Sequence, residues 1–338
     1  MSALSLADVY RARRRLYGRV VRTPLVESPT LSKIAGTRVL LKLEAVQPTG
    51  SFKIRGATNA VGELAERGVE RVVTASTGNH GRAVAYAARA SGMEALVCLS
   101  ALVPTNKVEA VRALGAQVRI VGNSQDDAER EALRLASEEG YSYVPPFDDL
   151  QVIAGQATIG LEIVEVLPDV AQIIVPLSGG GLFSGVAFAA KQSTPRVRMT
   201  GVTMRRGAAM HASLAAGEPV LVDEVDTLAD SLGGGIGLTN RYTFALTRAL
   251  IDDALLVEED AIARAILHAY RCERLVIEGA AAVGIAAMLE GMVPHARATG
   301  GEDGPIVLVV SGANIDMNLH RRLALQAPSS DSLLRGAP

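Results

Sequence analysis

The chain has 338 residues, of which 49% are hydrophobic and 21% are charged, and its formal net charge is -2. This composition excludes a largely disordered chain and is typical of a globular protein with about two domains. The near-neutral charge provides no general attraction to nucleic acid or to an anionic membrane surface, so we expect neither as a partner.

The cysteine count and the apolar runs predict the compartment. Cys98 and Cys272 are the only cysteines, which excludes a disulfide framework and fits a reducing environment. Residues 1–10 lack the apolar core of a secretory signal. No apolar run approaches the ~18 residues that a membrane-spanning helix needs. We therefore expect a cytoplasmic protein.

The first part of the chain predicts a helix, a strand and a second helix. Residues 5–18 have a helical pattern with Ser5 as the cap, and the apolar run at 39–44 predicts a buried strand. Residues 54–66 predict a helix that ends at Gly68.

From residue 71 onward, short apolar strands alternate with helices. Before Pro145-Pro146, strands are predicted at 71–76, 95–99, 117–121 and 141–144, and helices at 81–90, 105–114 and 124–139. After it, strands are predicted at 172–176, 196–203 and 306–310, and helices at 156–167, 182–191, 208–216, 241–250, 259–270 and 279–290. This alternation predicts an α/β protein with doubly wound parallel sheets.

The same alternation predicts the domain organisation, because it stops at Pro145-Pro146 and then restarts. We expect a large cofactor-binding domain from residues 1–61 and 149–325, and a small mobile domain from residues 71–148. Residues 326–338 are rich in Ser, Pro and Gly and predict a disordered tail.

Lys53 is the first candidate for chemistry, because it stands between Phe52 and the start of a predicted helix. Burial disfavours the charged form of a lysine, so its pKa falls and the neutral amine can act as a nucleophile or form a Schiff base. Taken alone, the pattern fits a surface lysine better. Polar segments that follow the predicted strands change that assessment.

These segments lie at the carboxyl ends of strands, where open α/β sheets bind ligands. Gly179-Gly180-Gly181 opens a helix, so its backbone N–H groups suit a phosphate, although a tight turn without a ligand has the same sequence. Ser76 to His80 and Ser311 also follow strands, and Gly233 to Gly237 is either a second anion site or a flexible loop. The glycine loop is not a dinucleotide or Walker fingerprint. A phosphate-bearing aldehyde cofactor such as pyridoxal phosphate would use the lysine and the strand ends together.

Four motifs resemble one family of enzymes. They are S-F-K-I-R-G-A from Ser51, S-T-G-N-H from Ser76, S-G-G-G-L from Ser178 and S-G-A-N from Ser311. In order and spacing they resemble the fold type II pyridoxal-phosphate enzymes, which have the tryptophan synthase β-like fold, and within these the threonine dehydratase and serine racemase group. R-G-A-A-M from Arg206 and S-L-G-G-G-I-G from Ser231 are most similar to the hydroxyectoine-utilisation dehydratases.

The resemblance implies a pyridoxal 5'-phosphate cofactor bound between two domains, and a role for each matching residue. Lys53 is expected to bind the cofactor as a Schiff base and to move the substrate α-proton, with Phe52 beside the cofactor ring. Asn79 is expected to donate to the phenolic oxygen, and Ser311 to meet the pyridine nitrogen. The expected phosphate loop is Ser178, Gly179, Gly180, Gly181 and Leu182. The expected substrate-carboxylate loop is Ser76, Thr77, Gly78, Asn79 and His80.

Two departures from the family pattern bear on activity. Racemases of the group have a second serine, as an acid/base, where this chain has Thr77. Thr77 also has a hydroxyl group, so it is expected to be catalytic beside Lys53, and racemisation stays a less favoured alternative. Thr203 and Ala209 replace the carboxylates of the family's divalent-cation site, so no metal site is expected.

These features predict a lyase that removes water from a β-hydroxy α-amino acid and yields an oxo acid and ammonia. The substrate is expected to be threonine or serine, with 3-hydroxyaspartate or a hydroxylated amino acid from hydroxyectoine breakdown as alternatives. Arg205 and Arg206 either meet an extra carboxylate of the substrate or form a solvated pair. Racemisation, β-replacement and a non-catalytic amino-acid sensor are the competing functions, and the sensor is disfavoured because it would not need Lys53. The resemblance also implies a homodimer.

Overall fold

The computed structural model describes residues 4–76, 78–103, 105–294 and 304–326. The strands are β1 Leu25–Glu27, β2 Val39–Leu43, β3 Arg71–Ala75, β4 Glu94–Leu99, β5 Gln117–Ile120, β6 Ser142–Tyr143, β7 Gln172–Pro176, β8 Arg198–Met204, β9 Asp253–Val257 and β10 Ile306–Val310. The α-helices are α1 Leu6–Leu16, α2 Pro29–Ala35, α3 Lys53–Glu66, α4 Asn79–Ala90, α5 Thr105–Ala113, α6 Gln125–Glu138, α7 Leu150–Val166, α8 Gly181–Ser193, α9 Ala209–Ala216, α10 Thr243–Leu250, α11 Glu259–His268, α12 Gly279–Leu289 and α13 Met317–Gln326.

The strands form two sheets. The larger sheet has the order β1-β2-β10-β7-β8-β9, in which the edge strand β1 pairs antiparallel with β2 and the other pairs are parallel. The smaller sheet has the order β5-β4-β3-β6 and is parallel in each pair. These sheets confirm the predicted α/β class. The exact domain boundaries stay a prediction, although the smaller sheet is drawn from residues 71–143.

Both sheets are buried on two faces, because successive strand residues point to opposite sides. In β7, Ile174 packs in one core cluster with residues of α11 and α12, whereas Ile173 packs in another with residues of α7 and α8. In the smaller sheet, Val72 faces α4 and Val73 faces α6. Helices therefore cover both faces of each sheet, as parallel strands require. In the described ranges, no helix has the length and apolar character to cross a membrane.

Most predicted elements are present within one or two residues, but four features differ. The helix predicted at 156–167 begins at Leu150, where the Asp149 carboxylate accepts from the backbone N–H groups of Gln151 and Val152. The sequence patterns do not predict α2, β9 or α13. Strand β9 is a half-buried edge strand, so it lacks a continuous buried pattern. Helix α2 has Ser28 as its cap and proline at its first position, which is a recognisable start signal.

The carboxyl ends of the central strands bring the candidate residues together. Strand β3 leads to α4, β7 to the glycine loop before α8, and β10 to Ser311. The segment before α3 joins the end of β10 directly, because the Phe52 N–H donates to the Ser311 carbonyl at 2.9 Å. Ser51 and Gly312 also form an isolated antiparallel bridge. The start of α3 is thereby fixed at the carboxyl edge of the larger sheet.

Candidate active site

Lys53 is the first residue of α3 and follows Phe52, whose N–H is bonded to the end of β10. Its Nζ donates a hydrogen bond to the carbonyl of Pro146 at 2.7 Å, in the segment that links the smaller sheet to α7. Burial lowers the pKa of Lys53 to about 8 from its ordinary value of 10.5, although the charge of Glu278 opposes the shift. Near neutral pH, part of Lys53 is therefore a neutral amine that can act as a nucleophile or base.

This pKa predicts how the apoprotein captures pyridoxal phosphate. Only the neutral amine attacks an aldehyde, so the capture rate should rise about tenfold per pH unit below pH 8 and level off above it. Stopped-flow absorbance of apoprotein mixed with the cofactor measures the profile, and circular dichroism across the range checks that the fold is unchanged. A midpoint near 10.5, the ordinary value, would contradict the prediction.

The glycine loop Gly179-Gly180-Gly181 is packed so closely that side chains do not fit. A Cβ on Gly179 would lie 2.5 Å from the ring of Phe147, and one on Gly181 would lie 3.0 Å from its backbone. Gly180 has a φ of 87° and precedes α8 without a side-chain cap. The backbone N–H groups at this helix start are therefore available to an anion, as a phosphate loop requires.

Replacing Gly180 with alanine should reduce both stability and cofactor affinity. A left-handed φ costs a residue with a Cβ about 1–2 kcal/mol. Here the new methyl group would also lie 2.8 Å from Met210 Cε and 2.9 Å from Thr247 Oγ1. Overpacking of this kind costs about 1–3 kcal/mol more. Urea unfolding and titration with pyridoxal phosphate measure the two effects.

Gly217 provides the matched control for this variant. It has a φ of 82°, and a Cβ added to it would meet nothing within 4 Å, so Gly217→Ala introduces the backbone strain without the collision. Its cofactor affinity should equal that of the parent protein. Equal losses of cofactor affinity in the two variants would contradict the assignment of the phosphate loop.

Asn79 is the first residue of α4 and is held by contacts that cross the molecule. Its Nδ2 donates to the Glu278 carboxylate at 2.8 and 3.1 Å, and its Oδ1 accepts from Asn314 Nδ2 at 2.6 Å. Glu278 is 3% exposed. Burial raises the pKa of Glu278 to about 7, although the hydrogen bond from Asn79 opposes the shift. The sequence motifs do not identify Glu278, which lies 199 residues from Asn79 along the chain.

His80 is buried and neutral rather than a cation for the substrate carboxylate. Burial, and then the charge of Lys53, lower the pKa of His80 to about 3. Its Nε2 lies 3.0 Å from the Val144 carbonyl, and because a carbonyl only accepts, Nε2 carries the proton. Any part that His80 has in binding a carboxylate must come from its backbone N–H, at the uncapped start of α4.

The loop before α4 turns tightly against the helix. A Cβ on Gly81 would lie 2.2 Å from the Ser76 carbonyl oxygen, so the close turn requires glycine there. Ser76 and Gly78 are half-buried beside it. Thr77, the predicted catalytic residue of this loop, lies outside the described residues.

A cluster of buried charged residues is bonded to the first turn of α3. Arg55 is 1% exposed and donates to Glu44 at 2.8 Å and to Glu162 at 2.6 Å. Lys42, which is 2% exposed, donates to Glu162 at 2.6 Å and to the Thr23 carbonyl at 2.7 Å. The cluster contains two cations and two carboxylates and joins β2, α3 and α7. Arg55 follows Lys53 by two residues, so the cluster fixes the part of the helix that carries Lys53.

The residues present fit pyridoxal phosphate. Lys53 supplies an amine of lowered pKa, and the glycine loop supplies backbone donors where a Cβ would collide. Three buried polar atoms near these groups, Thr49 Oγ1, Ser51 Oγ and His80 Nδ1, have no hydrogen-bond partner among the described residues. Ser311 is 2% exposed at the end of β10. The Leu182 side chain packs in the core, so this residue can reach a phosphate only through its backbone.

The structure also gives the positions of the two arginines and the two cysteines named in the sequence analysis. Arg205 and Arg206 are exposed; Arg205 pairs with Glu258, and Arg206 donates to the Asp226 carbonyl at 3.4 Å. Across the described parts of the chain, no three His, Cys, Asp or Glu side chains are grouped closely enough to hold a metal ion. Cys98 is buried and Cys272 half-buried, and both are free thiols.

A family model and two named proteins match this chain over most of its length. A family model described as "Pyridoxal-phosphate dependent enzyme" matches residues 16–312. A protein of Sinorhizobium fredii named "Putative threonine dehydratase" is 57% identical over 324 residues, which is 96% of each chain. The L-threonine ammonia-lyase of Thermotoga maritima is 41% identical over 95% of this chain and 78% of its own length.

Solved structures of a serine racemase and of a threonine deaminase are similar to the fold of this chain. The structure of maize serine racemase superimposes with a TM-score of 0.87 at 33% identity, over 96% of this chain and 98% of that chain. The processed form of threonine deaminase isoform 2 from Solanum lycopersicum gives a TM-score of 0.85 at 34% identity, over 97% and 96% of the two chains.

Proposed function

The chain belongs to the pyridoxal-phosphate-dependent enzymes of fold type II, in the threonine dehydratase and serine racemase group, and we propose that it is an ammonia-lyase. It removes water from a β-hydroxy α-amino acid of the threonine or serine type and yields an oxo acid and ammonia. The observation that carries the proposal is the position of Lys53, an amine of lowered pKa at the carboxyl edge of both sheets. The names of the two sequence relatives support the reaction.

Each step of the reaction has a candidate group in the chain. Bound pyridoxal phosphate supplies the electron sink that makes the substrate α-proton acidic. Lys53 Nζ takes that proton and can return it to the β-hydroxyl group, so that the Cβ–O bond breaks and the hydroxyl group leaves as water. The released enamine then takes up water and divides into the oxo acid and ammonia, so the water lost in elimination is balanced by the water consumed.

The remaining residues bind and orient. The glycine loop, with Ser178 and Leu182, would hold the phosphate through its backbone, and Phe52 would pack beside the ring. Asn79 and Ser311 would donate to the phenolic oxygen and the pyridine nitrogen. The backbone N–H groups at the start of α4, with Ser76 and Gly78, bind the substrate carboxylate, because an uncapped helix start favours an anion. Thr77 belongs to the same proposed loop.

Threonine or serine is the proposed substrate class. Both arginines that could meet an extra carboxylate, Arg205 and Arg206, already have partners at the surface, which disfavours 3-hydroxyaspartate. A hydroxylated amino acid from hydroxyectoine breakdown is the second candidate, and the motifs from Arg206 and Ser231 support it.

A substrate panel tests the proposal. The protein loaded with pyridoxal phosphate is given L-threonine, L-serine, 3-hydroxyaspartate and a hydroxylated diaminobutyrate, and ammonia release is measured for each. We expect the highest kcat/KM with L-threonine or L-serine. If only the diaminobutyrate derivative releases ammonia, the substrate assignment is wrong and the reaction class is retained; if no compound does, the function is wrong.

Racemisation is the second candidate function, because the fold superimposes on maize serine racemase with a TM-score of 0.87. A racemase would convert L-serine to D-serine without releasing ammonia. Chiral chromatography of the same reaction mixtures separates the two activities. We expect oxo acid to exceed D-serine in amount.

We also propose a cytoplasmic homodimer with a mobile small domain of residues 71–148. The two free cysteines support a reducing compartment. Sedimentation of the purified protein tests the dimer.

A further inference from the structure

Four side chains form a continuous hydrogen-bond chain across the candidate site. Arg82 donates to Asn314 Oδ1 at 2.8 Å, and Asn314 Nδ2 donates to Asn79 Oδ1 at 2.6 Å. Asn79 Nδ2 donates in turn to the carboxylate of Glu278 at 2.8 Å. The chain joins helix α4, the turn after β10 and the residue that precedes α12.

The two ends of this chain fix its direction. A guanidinium group has only donors and an ionised carboxylate only acceptors, so Arg82 requires the oxygen of Asn314, and above its pKa of about 7 Glu278 requires the nitrogen of Asn79. The Thr49 carbonyl adds a second constraint, because it accepts from Asn314 Nδ2 at 2.9 Å. Turning either amide round would place donor against donor or acceptor against acceptor.

We infer that Glu278, Asn314 and Arg82 are positioning residues that hold the Asn79 amide with its nitrogen, rather than its oxygen, available to the cofactor. Asn79 Nδ2 carries two N–H groups. One of them can be shared by the two oxygens of Glu278, at 2.8 and 3.1 Å, which leaves the other to donate to the phenolic oxygen of the cofactor. The reversed amide would present an acceptor to that oxygen. This inference rests on the role of Asn79 in the proposed function.

Burial makes the arrangement restrictive. Asn79 is 7% exposed and Glu278 is 3% exposed, so water does not readily replace a lost partner, and an unpaired buried group is costly. Gly312 packs against the same carboxylate, since a Cβ there would lie 2.5 Å from Glu278 Oε1. Glu278 therefore has little room to turn away from Asn79.

Two variants test the inference, one that removes a negative charge and one that adds a negative charge. Glu278→Gln can donate as well as accept, so the Asn79 amide loses its fixed orientation. Asn314→Asp presents only acceptors to Asn79 and therefore draws the amide nitrogen away from Glu278. We expect each variant to bind pyridoxal phosphate about tenfold more weakly, the effect of one lost hydrogen bond to a charged group. We also expect the visible absorption band of the bound cofactor to move in the same direction in both.

The measurements are a titration of the apoprotein with pyridoxal phosphate at pH 8 and the spectrum of the loaded protein. Neither requires turnover, so they decide the inference even if the protein proves inactive on threonine. Glu273→Gln is the control, because Glu273 is also a poorly exposed carboxylate that accepts from hydroxyl groups, of Ser28 and Thr30. Its affinity and band should match those of the parent protein.

Two results would overturn the inference. If both variants keep the parent affinity for pyridoxal phosphate and the parent absorption band, the Asn79 amide does not need Glu278 and Asn314 to hold it. Band shifts of opposite direction would mean that the variants act only through their charge, since one removes a negative charge and the other adds one. If Glu278→Gln does not fold, Asn314→Asp decides the matter alone: an unchanged affinity and band in it overturn the inference.

Discussion

Replacing Lys53 with alanine is expected to lower ammonia release from L-threonine by about 10⁴-fold or more. In the proposed mechanism, the variant loses both the amine that binds the cofactor and the base that takes the α-proton, and a positioned base alone contributes about 10²–10⁴-fold. Ammonia release at saturating substrate and cofactor measures the loss. The visible band of the covalently bound cofactor should disappear at the same time.

Lys33→Ala is the control, because Lys33 is an exposed lysine in the last turn of α2. It should keep the full rate, and both variants should have the circular dichroism of the parent protein. A folded Lys53→Ala protein that keeps the parent rate would contradict the assignment of Lys53.

Replacing Arg55 with alanine is expected to cause the largest loss of stability. The variant leaves the carboxylates of Glu44 and Glu162 without their main cation, and Glu44 is 0% exposed. Removing one partner of a buried ion pair costs about 3–5 kcal/mol, because the other charge stays buried and unpaired. The free energy of unfolding in urea measures the loss. Activity should also fall, since Arg55 lies in the first turn of the helix that carries Lys53.

Arg134 provides the contrast. It also pairs with several carboxylates, those of Glu131, Glu138 and Glu139, but its side chain is 39% exposed. Water and salt screen such pairs, so Arg134→Ala should change stability far less. Similar losses in the two variants would mean that the buried cluster has no special role in stability.

Much of the fold can be predicted because its strands are short, apolar and fully buried. Strands β7 and β10 are buried at each position, and the structure confirms both predictions. The predicted start of α7 is six residues late, although Asp149 is a good cap. Gly155 lies within this missed part, and it is there for packing: a Cβ on it would lie 2.6 Å from the Arg55 carbonyl. A glycine required by a neighbouring helix has the same sequence signature as one that breaks a helix.

Part of the candidate site can likewise be predicted from local sequence motifs, and the rest cannot. The glycine loop and Ser311 occur in local motifs directly after predicted strands, and Lys53 occurs in a motif at the start of a predicted helix, so these places can be predicted from the sequence. Glu278 has no such motif: it precedes α12 as an ordinary acidic residue would, and only the fold brings it to Asn79. The buried cluster of Lys42, Glu44, Arg55 and Glu162 also joins distant segments, and charged residues in a sequence are normally expected at the surface.

The most direct test follows L-threonine through the protein loaded with pyridoxal phosphate and quantifies ammonia, oxo acid and D-allothreonine in one sample. An ammonia-lyase that uses Lys53 would produce ammonia and 2-oxobutanoate in equal amounts, and Lys53→Ala would lose this rate. Formation of D-allothreonine without ammonia, or the absence of any reaction with the whole panel of β-hydroxy amino acids, would contradict the assignment as an ammonia-lyase.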